Sequence, residues 1–245
     1  MKPNPWWWAG ILLALAALAC DLGGGGVAPP SGGTPVATQA ATAAGEEAPE
    51  FAPQIEALNN LDSYAYAFRM SVRGVSVVEG AQASNFSSEG QVQNVPTRAE
   101  RVRFTDESTG QVTEFIAIQS ANNTWTRQND GEWQALGFYS PEMFGFFTFQ
   151  FWLEAFFSEL PEEADFVGPD LVHGIPSWHY RTSQGGAALG FSGSWENHWW
   201  LAVDGGYPVK LTLDAESGAG GESGEIHMSL ELRDVNAAMN IAPPI

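Results

Sequence analysis

Cysteine is nearly absent from this chain: Cys20 is the only one among 245 residues. Without a second thiol no intrachain disulfide can form, so the fold must be held by its core in any redox compartment. Positive charge is scarce too. Ten Lys and Arg stand against 29 Asp and Glu, a formal net charge of −19, which keeps the chain soluble and disfavours nucleic acid and anionic lipid headgroups as partners. Signatures of catalysis are missing as well: there is no G-x-S-x-G elbow, and Gly23 to Gly26 precedes no helical pattern that would make a phosphate-binding loop. No internal repeat is visible, which argues against a propeller or solenoid. The apolar run from Trp6 to Ala19 is shorter than the roughly 20 residues needed to cross about 30 Å of hydrocarbon.

A run of that length behind a basic residue is the pattern of a signal peptide, with Lys2 as the positive start and Ala9 to Ala16 as the apolar centre. Ala17-Leu18-Ala19-Cys20 resembles the lipobox of bacterial lipoproteins, with Ala17 and Leu18 in the reverse of the usual order. The resemblance implies cleavage before Cys20 and attachment of fatty chains such as palmitate there. Several chains together hold a membrane stably, at about 0.8 kcal/mol per buried methylene. The same three residues also fit an A-x-A site for ordinary secretion without lipid. Residues 1–19 therefore read as signal peptide, and 20–50 as the lipidated cysteine plus a Gly, Ala, Pro and Thr tether. The tether lacks the bulky side chains that would offset the entropy of ordering it. About thirty residues of such coil reach on the order of 30 Å.

From Phe51 to Ile245 the pattern changes to aromatic-rich alternation broken by turn signals, the length of one domain. Ile55, Leu58 and Leu61 recur at helical spacing and predict a short helix over 52–61. In the next stretch Tyr64, Tyr66, Phe68, Met70 and Val72 alternate with small or charged residues, so one face of a strand is covered and the other wet. Further strands are predicted over 85–95, 98–106, 112–119, 123–127, 165–171, 177–182, 198–203, 208–215 and 224–235. Gly110, the cluster Asn129-Asp130-Gly131 and the hairpin signal Asp204-Gly205-Gly206 supply turns.

Residues 140–160 open with Ser140 as an N-cap, Pro141 at the first helical position and Glu142 in the first turn. The helix predicted there is apolar on nearly all sides, with Phe144, Phe147, Phe151 and Trp152 among its large residues. It must be buried by protein, by membrane or by an apolar ligand. A core helix crossing the sheet is one solution, and a helix that also lines a cavity is the other.

Five stretches then carry a resemblance. Ala57-Leu58-Asn59-Asn60-Leu61-Asp62-Ser63-Tyr64 ends a helix before a first strand. Val167-Gly168-Pro169-Asp170-Leu171-Val172-His173-Gly174 turns into Trp178-His179-Tyr180. Trp200-Leu201-Ala202-Val203-Asp204-Gly205-Gly206-Tyr207-Pro208-Val209-Lys210 follows, before Leu232-Arg233-Asp234-Val235-Asn236 and Ile241-Ala242-Pro243-Pro244 at the end. In this order they resemble the LolA-like and LppX/LprG-like lipoproteins and carriers. The resemblance implies an α+β, mostly antiparallel fold, a curved half-open barrel with helices covering its concave face. It also implies binding of a lipid or acylated ligand there, on the extracytoplasmic side of the cell membrane or envelope, with a handover partner among envelope proteins. The expected lining is Tyr64, Tyr66, Phe68 and Met70 from the first strand, Phe144, Phe147 and Phe151 from the helix, and Trp178 and Tyr180. Ordinary core packing accounts for the same side chains, and a non-catalytic envelope interaction or structural module with a filled core is the alternative.

An enzyme is not expected, nor a metal or cofactor. His173 and His179 have a spacing that zinc can use, but no cysteine pair accompanies them. Glu159, Glu162, Glu163 and Asp165 lack calcium-loop spacing and read as a solvated helix end. Asn85-Phe86-Ser87 and Asn122-Asn123-Thr124 match the glycosylation sequon and read as polar turns.

Overall fold

The computed structural model describes residues 49–74, 83–140, 148–149, 151–153, 164–188, 191–217 and 224–245, all within one compact unit, Thr42–Ile245. Cys20, the signal sequence, the tether up to residue 48, Phe144, Phe147, and Glu159, Glu162 and Glu163 lie outside the described residues. Among the described residues eleven strands form one antiparallel sheet: β1 Ser63–Arg73, β2 Ala83–Gln93, β3 Ala99–Asp106, β4 Gln111–Ile118, β5 Asn123–Gln128, β6 Gln134–Ala135, β7 Asp165–Val172, β8 Ile175–Ala188, β9 Phe191–Ala202, β10 Pro208–Ser217 and β11 Gly224–Arg233. Their order is β6-β5-β4-β3-β2-β1-β11-β10-β9-β8-β7, with β6 and β7 at the two edges, so the sheet is not closed.

Alternation decides which face is which. In β1 the even positions from Tyr64 to Val72 are all buried, and in β11 Ile226, Met228, Leu230 and Leu232 are buried beside them. Leu211 and Leu213 of β10, Trp199 and Leu201 of β9 and Tyr180 of β8 continue this inner face as one apolar cluster. The outer face carries the odd positions of β1 and β11, among them Arg69, Glu231 and Arg233. It has a small core of its own, where Ala99, Ile116, Ile118 and Trp125 are covered by Trp133 and the C-terminal Ile241.

Turns follow local chemistry. Val172 pairs with Ile175, leaving His173 and Gly174 as a two-residue hairpin loop at φ 50° and 83°. Both central residues at positive φ match the right-handed twist of the strands they join. At the Asp204-Gly205-Gly206 turn the glycines take φ 87° and 64°. The Asp106 carboxylate accepts the N–H groups of Ser108 at 2.8 Å and Thr109 at 3.2 Å, which tightens the β3–β4 turn ahead of Gly110.

Several expectations are corrected. The helix expected over 52–61 is a 3-10 helix, Ile55–Asn60, whose preceding residue Gln54 makes no side-chain cap. Strands β8 and β9 run well past the expected 177–182 and 198–203, because their Gly, Ala and Ser residues hold the ladder through pairs such as Gly186 with Gly193 without any apolar alternation to reveal them. The two-residue strand β6 carried no signal at all. Asn85 lies in β2 rather than a turn, its side-chain oxygen accepting the Ser71 hydroxyl at 2.8 Å.

Candidate functional site

The inner face is built around large rings that the strand period places side by side. Phe68 stacks on Trp152 with centroids 4.6 Å apart and meets Phe86 at 5.6 Å. Tyr66 packs on Phe149 at 6.0 Å. Residues 148–153 belong to the segment expected to be helical. There the Thr148 hydroxyl accepts the Phe151 N–H at 3.3 Å, the reach of an N-cap, while Phe149, Trp152 and Leu153 are buried and Phe151 is half-buried. The expected start at Ser140 to Glu142 falls partly outside the described residues; Ser140 itself is not helical, and its N–H bonds the Thr124 hydroxyl at 3.3 Å.

Of the expected lining, Tyr64, Tyr66, Phe68, Met70 and Tyr180 come together in the inner cluster, with Phe151 and Trp178 packed against it. Phe51, which sequence reasoning passed over, wedges between Tyr180 at 5.2 Å and Trp199 at 5.6 Å. The Tyr180 hydroxyl donates to the Pro49 carbonyl at 3.0 Å, tying the start of the domain to β8.

Two polar features interrupt this apolar wall. Glu100, 5% exposed, accepts Arg98 Nε at 2.8 Å. Burial, reinforced by the Glu100 charge, pushes the Tyr64 and Tyr66 hydroxyls well above the usual phenol range, so both stay protonated donors. On β8 and β9, Thr182 and Asn197 face each other, 2% and 1% exposed. Asn197 Nδ2 donates to Thr182 Oγ1 at 3.3 Å, and its Oδ1 has no acceptor bond filled. A buried amide oxygen left unpaired costs about 1–3 kcal/mol, which makes Asn197 the polar point of the wall. Sequence gave no sign of it, because the alternation around it is hidden among Gly and Ser.

The histidines separate. His173 Nε2 lies 3.0 Å from Glu231 Oε2, and Lys210 Nζ lies 3.3 Å from the other oxygen. His179 instead stacks flat on Trp200 at 4.3 Å and hydrogen-bonds His198 through Nε2 and Nδ1 at 2.8 Å. Glu196 lies 3.0 Å from the far nitrogen of His198, and Trp200 Nε1 donates to Asp170 at 2.8 Å. Among the described residues no three His, Cys, Asp or Glu side chains are grouped to hold a metal ion. Asp165 pairs with Arg181 at 2.9 Å.

Acid should act on these groups in sequence. Burial, then the His198 charge, hold His179 below the usual imidazole value despite Asp170. Its neutral form is the one that fits the fold, so a penalty sets in as pH falls through the unfolded value of about 6.5. For Glu231, burial alone would raise the carboxyl, but the His173 bond and the Lys210 charge outweigh it and hold it below 4.5. Its contribution is present above that value and is lost as pH falls through the depressed one. Chemical denaturation from pH 7.5 to 4 should therefore show stability beginning to decline as pH falls through about 6.5 and declining further below about 4.5; His179→Phe should remove the first stage and Glu231→Gln the second.

Among the described residues, no helix is long and apolar enough to cross a membrane. No protein-family model matches the chain, and no curated protein matches it in sequence. Solved structures do. The chain is similar to LprF from Mycobacterium bovis, with 12% identity, a TM-score of 0.44, and 77% of this chain and 92% of that one covered. It is also similar to a protein domain from Vibrio parahaemolyticus assigned to outer membrane lipoprotein sorting, with 11% identity, a TM-score of 0.25, and 73% and 87% covered. A DUF1329 family protein from Desulfovibrio piger matches at 11% identity and a TM-score of 0.26, with 76% and 90% covered. At such identities and scores these matches carry no argument about family or function.

Proposed function

We propose that this chain is an exported lipoprotein, anchored through Cys20, whose sheet is a half-barrel that binds a lipid or lipidated molecule along its inner face and shields or hands over the acyl chain. The observation that carries the reading is a sheet, unclosed among the described residues, with a continuous apolar wall rich in aromatic rings on one face, to which segments outside the sheet add Phe51, Phe149 and Trp152. An acyl chain of about fourteen carbons needs shielding worth roughly 11 kcal/mol, at about 0.8 kcal/mol per methylene, and such a wall supplies it without catalysis. Asn197 Oδ1 offers an acceptor to a ligand hydroxyl or amide. Phe144 and Phe147 remain proposed members of the lining, and an envelope protein the proposed receiver.

A filled-core interaction module is the second reading, favoured by the near-complete burial of Tyr66, Phe68 and Tyr180 against the chain's own side chains. One preparation separates the two. The full chain, purified from membranes and extracted with organic solvent, should yield one lipid per protein by mass spectrometry, while Cys20→Ala should move the chain to the soluble fraction. Lipid-free protein that binds no apolar dye would establish the filled-core module instead, and a Cys20→Ala chain distributed like the wild type would remove the anchor.

A further inference from the structure

The chain is strongly acidic, yet one half of its outer face gathers arginine. Strand register sets Arg233 of β11, Ala65 of β1, Gln91 of β2 and Arg101 of β3 in one row. The adjacent row runs Glu231, Ala67, Glu89, Arg103, Glu114 and Arg127. Three strand spacings, about 14 Å, separate the backbones of Arg233 and Arg101, and only the short Ala65 and the neutral Gln91 stand between them. Long side chains on either side of a low floor leave a hollow, here of about 370 Å³, with Arg101, Arg103 and Arg233 on its walls. A second hollow of about 180 Å³ adjoins it, sharing Glu89 and Arg103 and adding Arg69.

The charges in the larger hollow are unequally occupied. Glu114 is 2% exposed and bonded by Arg127, with Arg101 at 3.5 Å, so its charge is spent on two cations. Among the described residues Arg69, Arg103 and Arg233 make no ion pair within 4.0 Å, although Arg103 sits in register between Glu89 and Glu114. The Nε–H of Arg233 is buried without an acceptor. Buried polar groups are nearly always satisfied, and a charged donor left bare is the exception that calls for a partner. Guanidinium forks match carboxylate and phosphate oxygens. Three of them around one floor offer more donors than the two oxygens of a carboxylate accept.

We propose that this outer-face hollow binds a phosphate group, with Arg103 and Arg233 as its principal donors, Arg101 as a third, and Ala65 and Gln91 as the floor. The site is separate from the inner face and does not depend on what that face holds. Overall negative charge works against a general attraction to anionic surfaces, but a hollow walled by arginines acts within a screening length of about 8 Å. Glu89 and Asp234, which line the same hollow, oppose the ligand and limit its affinity.

Calorimetric titration of the full chain in detergent with inorganic phosphate, glycerol phosphate, dihexanoyl phosphatidylglycerol and succinate tests this. Saturable phosphate binding is expected, weakened at least tenfold in Arg103→Gln and in the Arg103→Gln/Arg233→Gln double variant. Gln91→Glu, which adds charge to the floor without removing an arginine, should weaken it as well, and Glu89→Gln should strengthen it several-fold. Equal binding of inorganic and glycerol phosphate with no gain from the lipid assigns a free phosphate; a tenfold gain with the short-chain lipid assigns a headgroup. Both support the site. No saturable phosphate binding, binding unchanged in the double variant, or succinate binding as tight as phosphate overturns it, with thermal melts confirming that each variant is folded.

Discussion

Phe68→Ala should lower the stability of the domain by about 3–5 kcal/mol, the range for truncating a buried aromatic side chain. Phe68 is 1% exposed at the centre of β1, stacked on Trp152 and touching Phe86, so its removal takes away both burial and two ring contacts. Strand pairing with Leu230 and Ser88 fixes its backbone on both sides, which limits collapse into the vacated space. For a domain of this size the loss corresponds to a fall in Tm of about 10 °C. Urea unfolding of the two chains in parallel measures it. A loss below about 1 kcal/mol would mean that Phe68 is not packed as described and that the inner face is looser than its burial indicates. The same variant bears on the lipid reading: an enlarged inner space should raise apolar-dye binding if the wall is open to ligands, and leave it unchanged if the core is filled.

Gly90→Ala should cost about 1–3 kcal/mol, as overpacking does, and for a reason specific to one cross-strand pair. Gly90 of β2 stands opposite Tyr66 of β1, and a methyl at Gly90 would fall within the van der Waals radii of Tyr66 Cε1, Cζ and Oη. The tyrosine ring lies over the glycine, covering the backbone that a missing side chain exposes. That ring is 1% exposed and backed by Phe149, so it has nowhere to swing. Glycine in a strand interior otherwise weakens the strand, so an alanine here would ordinarily stabilise. The sign of the effect therefore reports the packing. Combining Gly90→Ala with Tyr66→Leu should recover much of the loss, and a double-mutant cycle with no coupling would refute the contact.

Both variants concern side chains whose placement the alternation of β1 announces. Tyr64 to Val72 declare their buried face by period alone, as do Ile226 to Leu232 of β11, because a half-buried strand must sort its residues two by two. Polar and glycine-rich strands give no such signal. The long ends of β8 and β9 pair Gly, Ala and Ser, so their extent depends on the partner strand, and with it the inward position of Thr182 and Asn197. Period also says nothing about helix type: the short segment before β1 closes as a 3-10 helix, and the wedge made by Phe51 depends on where β8 and β9 have brought Tyr180 and Trp199. The histidines teach the same lesson, since the near neighbours in sequence, His173 and His179, take partners on different strands.

By itself the sequence determined a disulfide-free, acidic, mostly β domain, the hairpin turn at Gly205-Gly206, and the apolar face of its regular strands. Those follow from composition and from local backbone preference, which act within a few residues. The tertiary structure alone decided that the sheet stays open, that Tyr66 fills the space of Gly90, and that Arg101, Arg103 and Arg233 share one hollow. Each of these depends on register between strands far apart in the chain, a quantity set by the whole sheet and carried by no single stretch of it.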